Sequence, residues 1–193
     1  ESNMCGIVGY VGERQARPIL MDGLRRLEYR GYDSAGMAVN HGGRIKLSRA
    51  VGRVSELDAG TPTDFLGNIG IAHTRWATHG GVTKANAHPH LDATDRIALV
   101  HNGIIENMRP IKERLIERGV QFRSETDSEV LVQLISRLYF GQSPSLSDSH
   151  IPELDPVAAV RSALKLVRGT WGIAVIFADH PDMIVAARNG SPL

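Results

Sequence analysis

Met4-Cys5-Gly6-Ile7-Val8-Gly9-Tyr10-Val11-Gly12 is the stretch on which the reading of the whole chain turns. Its apolar residues lie between glycines, the pattern of a short buried strand. The only cysteine of the chain stands at the head of that strand. A thiol is the strongest nucleophile a side chain offers near neutral pH, and Gly6 beside it leaves room for a substrate to approach. A free cysteine also buries readily as a small core residue, so Cys5 by itself does not separate catalysis from packing.

Composition narrows the field. The chain has 193 residues, 42% hydrophobic and 22% charged, which describes a globular protein with ample core for one large domain. A formal net charge of +1 gives no basic footprint for nucleic acid, and four Phe, four Tyr and two Trp are too few for stacking platforms. A single cysteine excludes an internal disulfide and agrees with a reducing compartment. No apolar run approaches the ~18 residues of a membrane span, and Glu1-Ser2-Asn3-Met4 has no signal-peptide character. A cytoplasmic protein is expected, with neither nucleic acid nor membrane as a partner. Met4 reads as a natural start, which makes residues 1–3 a remnant ahead of it. Because the chain stops at Ser191-Pro192-Leu193 without a polar tail, more protein is expected downstream.

Periodicity supplies the elements. Residues 5–11 read as a strand, and 17–29 as a helix with Leu20, Leu24 and Leu27 on one face. Strands 34–39 and 45–49 flank the hairpin signal His41-Gly42-Gly43, and 55–57 reads as one helical turn. Strand 68–72 runs into a polar, histidine-rich loop over 73–90, long enough to expect a function for it. Strand 97–101 ends on Asn102-Gly103. A helix over 107–118 has Asn107 as its cap, and a second helix is capped by Thr126 or Asp127. After a serine-rich loop at 143–149 comes a helix over 155–167. Strand 171–178 is apolar throughout, hence covered on both faces. A turn at His180-Pro181-Asp182 leads into a last strand, 183–187. The pattern is mixed α and β.

Four polar clusters lie where strands end or helices begin, positions that commonly carry chemistry. Cys5 is the first. Arg75-Trp76-Ala77-Thr78-His79 is the second, and arginine is the natural partner of a carboxylate because its planar fork donates two parallel hydrogen bonds. His101-Asn102-Gly103 is the third: an amide beside a glycine N–H can supply two donors to a developing oxyanion, although Asn-Gly alone is also a turn signal. Ser124-Glu125-Thr126-Asp127-Ser128-Glu129 is the fourth, and it doubles as a helix start.

CGIVG at 5–9, RRLEYRGYDSAG at 25–36, HTRWATHG at 73–80, HNGIIEN at 101–107 and SETDSE at 124–129 stand in one order along the chain. Together they resemble the class II glutamine amidotransferases, and within them the glutaminase domain of the glucosamine-6-phosphate synthases. The likeness covers residues 4–193. It implies an α+β fold of the N-terminal-nucleophile hydrolase type, a four-layer αββα sandwich with two antiparallel sheets. It implies that Cys5 attacks the side-chain amide of L-glutamine, passing through a tetrahedral intermediate to a glutamyl thioester and releasing ammonia. By the same resemblance Asn102 and the Gly103 N–H stabilise the oxyanion, and Arg75 clamps the substrate carboxylate with help from Thr78 and His79. Asp127 holds the substrate ammonium, and Trp76 closes over the bound amino acid. No cofactor is implied. The expected partner is a sugar-phosphate isomerase domain further along the same full-length chain, which uses the ammonia to turn fructose 6-phosphate into glucosamine 6-phosphate. Oligomers are expected of the full-length enzyme only.

In this fold class the base is the nucleophile's own α-amino group. Here the nitrogen of Cys5 is a peptide nitrogen joined to Met4, its lone pair delocalised, so the chain is expected to be inactive while residues 1–4 remain. Other readings stay open at this point. His73, His79, His88, His90 and His101 crowd one region, but no HExxH or CxxC accompanies them and no metal is expected. A Cys–His amidohydrolase with His73, His79 or His101 as base, another class II amidotransferase, and a non-catalytic regulatory domain are the alternatives.

Overall fold

The structure, a computed structural model, describes residues 5–77, 80–142, 153 and 155–191. In chain order it contains β1 (Gly6–Val11), α1 (Ala16–Leu27), a 3-10 turn (Glu28–Arg30), β2 (Ser34–His41), β3 (Arg44–Val51), α2 (Val54–Gly60) and β4 (Ile69–Arg75). There follow β5 (His90–Leu91), β6 (Ile97–Ile105), α3 (Met108–Glu117), α4 (Asp127–Tyr139), α5 (Pro156–Leu164), β7 (Gly169–Phe177) and β8 (His180–Asn189). The strands form two four-stranded sheets, in the orders β1-β4-β2-β3 and β5-β6-β7-β8, and every pairing within them is antiparallel.

Strand parity builds the layers. On β1, Val8 and Tyr10 pack toward α1 with Leu20 and Leu24, while Ile7 faces the second sheet. On β4, Ala72 joins the α1 side and Ile69 and Ile71 point between the sheets. On β6, Ile97, Leu99 and Ile105 pack under α4 and α5 with Leu131, Ile135 and Val160, and Ala98 and Val100 point between the sheets. Helices therefore cover both outer faces, and a dry layer of Ala38, Ile69, Ile71, Ala98, Val100, Ala174 and Ile176 joins the sheets. The result is the four-layer αββα sandwich. β7 alternates in the same way, Ala174 and Ile176 inward and Ile173 and Val175 toward the helices, so both its faces are covered.

Several boundaries differ from the sequence expectation. β6 does not stop at Asn102-Gly103 but continues to Ile105, paired with β7 down to Gly169. The strand survives because Gly103 takes φ 124°, and a Cβ there would lie 2.2 Å from the Thr170 carbonyl oxygen. His180-Pro181-Asp182 is strand rather than turn, because β8 is an edge where proline removes no needed ladder donor. β4 is longer than expected and delivers His73, Thr74 and Arg75 from within the sheet. α5 stops at Leu164. Asn107 makes no side-chain cap; its amide instead ties Leu166 O and Arg168 N at the entry to β7. The serine-rich loop at 143–149 lies outside the described residues. No helix among the described residues is long and apolar enough to cross a membrane.

Candidate active site

The parity that makes the middle layer dry also places the polar residues at one end of it. Two residues before Ile7, on the same side of the chain, comes Cys5; two and four beyond Ile71 come His73 and Arg75; two beyond Val100 comes Asn102. β1 and β4 pair with Ile7 opposite His73 and Gly6 opposite Thr74, which brings the start of β1 beside the end of β4. Apolar packing gives way to a polar cluster within one step along each strand.

Cys5 is half-buried, and its Sγ accepts the Trp76 N–H at 3.2 Å and lies 3.7 Å from the Trp76 carbonyl oxygen. Burial pushes its thiol pKa up, opposed by the Trp76 N–H and the nearby Arg75. A thiol so placed stays protonated at neutral pH and needs a base. The Asn102 side chain spans the gap between the sheets: its Nδ2 donates to the Cys5 carbonyl at 3.3 Å, and its Oδ1 meets His73 Nε2 at 2.8 Å. Gly103 follows it in the same strand.

Arg75 is buried at the end of β4, and its Nη1 donates to the Gly81 carbonyl at 3.3 Å. Asp127 opens α4, where the helix dipole favours a carboxylate. The cap itself is Thr126, whose hydroxyl accepts the Glu129 N–H, so the Asp127 carboxylate is not used as the cap. One Asp127 oxygen accepts the Ile105 N–H at 2.8 Å; the other sits 3.4 Å from Ser128 Oγ and 3.9 Å from His101 Nδ1. Cys5, Arg75, Trp76, Gly103 and Asp127 line one cleft of about 40 Å³. A larger hollow of about 260 Å³ beside α3, lined by Pro110, Ile111 and Leu115 among others, gathers no nucleophile. Of the residues singled out in the sequence, Cys5, Arg75, Trp76, Asn102, Gly103 and Asp127 come together, while Thr78 and His79 lie outside the described residues.

The histidine-rich stretch is tied to the fourth cluster. His88 Nε2 and His101 Nδ1 share the Ser128 hydroxyl at 2.8 and 2.9 Å, and His90 Nε2 meets Thr126 Oγ1 at 3.0 Å. His73 stacks on His88 with centroids 4.2 Å apart, and Asn86 bridges the Gly81 carbonyl to Glu125. Burial holds all four rings neutral: His73 falls to about 3, His88 and His90 fall well below the usual value, and His101 is lowered against the pull of Asp127. Among the described residues no group of three or more His, Cys, Asp or Glu is arranged to hold a metal ion, and no imidazole bonds the Cys5 sulfur.

Sequence reading passed over Asp33, although it stands inside the RRLEYRGYDSAG motif. Its Oδ2 accepts the Ala77 N–H, its own N–H donates to the Arg75 carbonyl at 2.8 Å, and its carbonyl accepts the Gly52 N–H. Asp33 thus fixes the path of the chain through Arg75, Trp76 and Ala77. The available signal was its position: a carboxylate next to strand β2, which pairs with β4 from Ser34 opposite Arg75.

Residues 58–143 match the family model described as a glutamine amidotransferase domain. Over 98% of its length the chain is similar to two proteins named glutamine–fructose-6-phosphate aminotransferase [isomerizing]. It is 50% identical to the one from Caldanaerobacter subterraneus subsp. tengcongensis and 52% identical to the one from Pseudomonas aeruginosa. It spans only 29% and 30% of the lengths of those relatives. In fold it is similar to glutamine phosphoribosylpyrophosphate amidotransferase from B. subtilis complexed with ADP and GMP. The TM-score is 0.74 and the identity 23%, over 95% of this chain and 37% of that one.

Proposed function

We propose that this chain, which belongs to the glutamine amidotransferase domain family, hydrolyses L-glutamine to glutamate and ammonia through a thioester on Cys5. One observation carries the reading. The cleft that holds the Cys5 thiol is lined by one buried cation, Arg75, and one carboxylate, Asp127, the complement of a free amino acid's two charges. With its α-amine free, Cys5 loses the thiol proton to that amine, whose reference pKa of ~7.7–8 suits the task. The sulfur then adds to the side-chain carbonyl carbon of glutamine. Asn102 Nδ2 and the Gly103 N–H take the resulting oxyanion, each donor worth roughly 3 kcal/mol to the transition state. The ammonium form of the amine returns its proton to the departing nitrogen, ammonia leaves, and water cleaves the thioester.

Arg75 binds the substrate carboxylate, with Thr78 and His79 assisting, and Asp127 binds its ammonium. Trp76, which lines the cleft and is 41% exposed, closes over the bound amino acid. In the longer protein of which such domains form a part, the ammonia passes to a sugar-phosphate isomerase domain that converts fructose 6-phosphate into glucosamine 6-phosphate, in the cytoplasm. The test is covalent: an electrophilic glutamine analogue, given to chain verified by mass spectrometry to start at Cys5, should add one equivalent at Cys5, with L-glutamine protecting. An unlabelled Cys5, together with no glutamate released from glutamine, would leave a non-catalytic domain as the reading.

A further inference from the structure

We infer that His73 is a positioning residue for the reaction, holding the Asn102 amide so that its NH2 group, and not its carbonyl, faces the centre where Cys5 reacts. The inference rests on the proposed role of Asn102 as an oxyanion donor. An asparagine amide has two ends, and turning it about would aim an oxygen where negative charge develops. Two contacts fix it here. Asn102 Nδ2 lies 3.3 Å from the Cys5 carbonyl, which can only accept, and Oδ1 lies 2.8 Å from His73 Nε2. The reverse orientation would set two acceptors, Oδ1 and the Cys5 oxygen, against one another.

The same logic assigns the imidazole tautomer. Asn102 Oδ1 can only accept, so the His73 proton resides on Nε2. His73 Nδ1 has no partner among the described residues and is fully buried. Left there as a bare lone pair, it costs less than an unsatisfied N–H would. The ring cannot swing away, because His88 stacks on it at 4.2 Å and the sheets enclose it, with no part of the residue exposed. A neutral ring with one proton, on the nitrogen that meets Asn102, makes a one-way donor. A protonated ring would donate from both nitrogens, and burial disfavours that form.

Two amide replacements of nearly equal polarity separate positioning from packing. In His73→Gln the side-chain NH2 lies near the place of Nε2 and can still donate to Asn102. In His73→Asn the amide is one carbon shorter and falls near Nδ1, out of reach. Steady-state glutamine hydrolysis should be measured on chain trimmed to Cys5 for the parent, both His73 variants, Asn102→Ala and the double variant His73→Asn/Asn102→Ala, with thermal unfolding of each. Expected are a kcat near the parent's for His73→Gln and a kcat lowered roughly tenfold or more for His73→Asn, with KM within about twofold. That loss is part of the roughly 10²–10³ that a missing oxyanion donor costs. The double variant should be no slower than Asn102→Ala alone, since the donor to be positioned is gone. Equal kcat in the Gln and Asn variants, or losses that multiply in the double variant, would overturn the inference while leaving the oxyanion role intact. A full kcat in Asn102→Ala would remove the oxyanion role itself, and this inference with it.

Discussion

At the scale of single residues, the proposed roles separate binding from chemistry by charge. Arg75 presents a fork at the end of a strand, anchored through Gly81. In Arg75→Lys the charge stays but the two parallel bonds to a carboxylate are lost, so KM for glutamine should rise roughly tenfold or more with kcat much less affected. An unchanged KM would mean that the substrate carboxylate binds elsewhere. Asp127→Asn is a cleaner case than most charge deletions, because an amide oxygen can still accept the Ile105 N–H and hold the end of β6. Only the counter-charge goes, and KM should again rise by about tenfold while the unfolding midpoint hardly moves. Initial rates across a glutamine series would show it; a fall in kcat at constant KM would reassign Asp127 to the chemical step.

At the scale of elements, the β6–β7 pairing carries both proposed oxyanion donors, and at position 103 it tolerates no side chain. Gly103→Ala combines a left-handed φ of 124° with a Cβ 2.2 Å from the Thr170 carbonyl. Strain of this kind costs roughly 1–3 kcal/mol before the steric overlap is counted. Denaturant unfolding should therefore show a loss of that size or larger, and a variant as stable as the parent would mean that the strands part freely here. This pairing also marks the limit of what the sequence made legible. The period-2 and helical patterns located most of the elements, because burial on one face leaves a repeat in the sequence. Asn102-Gly103 misled because a local turn signal competed with long-range pairing, and only β7, some seventy residues away, decides for strand. Cys5, Arg75, Asn102 and Asp127 were visible as residue types at strand and helix ends. The parts played by Asp33, Ser128 and the buried histidines were not, since each depends on which segment the fold lays across it.

At the scale of the whole molecule, the proposed mechanism makes the nitrogen of Cys5 decide whether the cleft works. With Met4 attached that nitrogen is an amide and cannot accept the thiol proton, while burial holds the Cys5 thiol in its protonated form. Glutaminase activity should rise by several orders of magnitude when residues 1–4 are removed. Equal rates before and after trimming would discard the amine as base and promote a Cys–His mechanism. The stacked imidazoles of the middle layer carry a different consequence, for where the protein can live. His73, His88 and His90 are neutral in the fold, with pKa values below their ordinary 6.5, His73 near 3. Below pH ~6.5 the unfolded chain takes up protons that the native one refuses, so stability present at neutral pH drains away as the pH falls toward the folded values. The protein should therefore be measurably less stable at pH 5.5 than at pH 7, with His73, His88 and His90 all contributing in the same direction, which urea titrations at the two pH values would measure. A midpoint that stays constant over that interval would mean that the rings accept protons in place. The imidazoles buried beside the cleft thus tie the fold's stability to near-neutral pH, and mild acid draws that stability down.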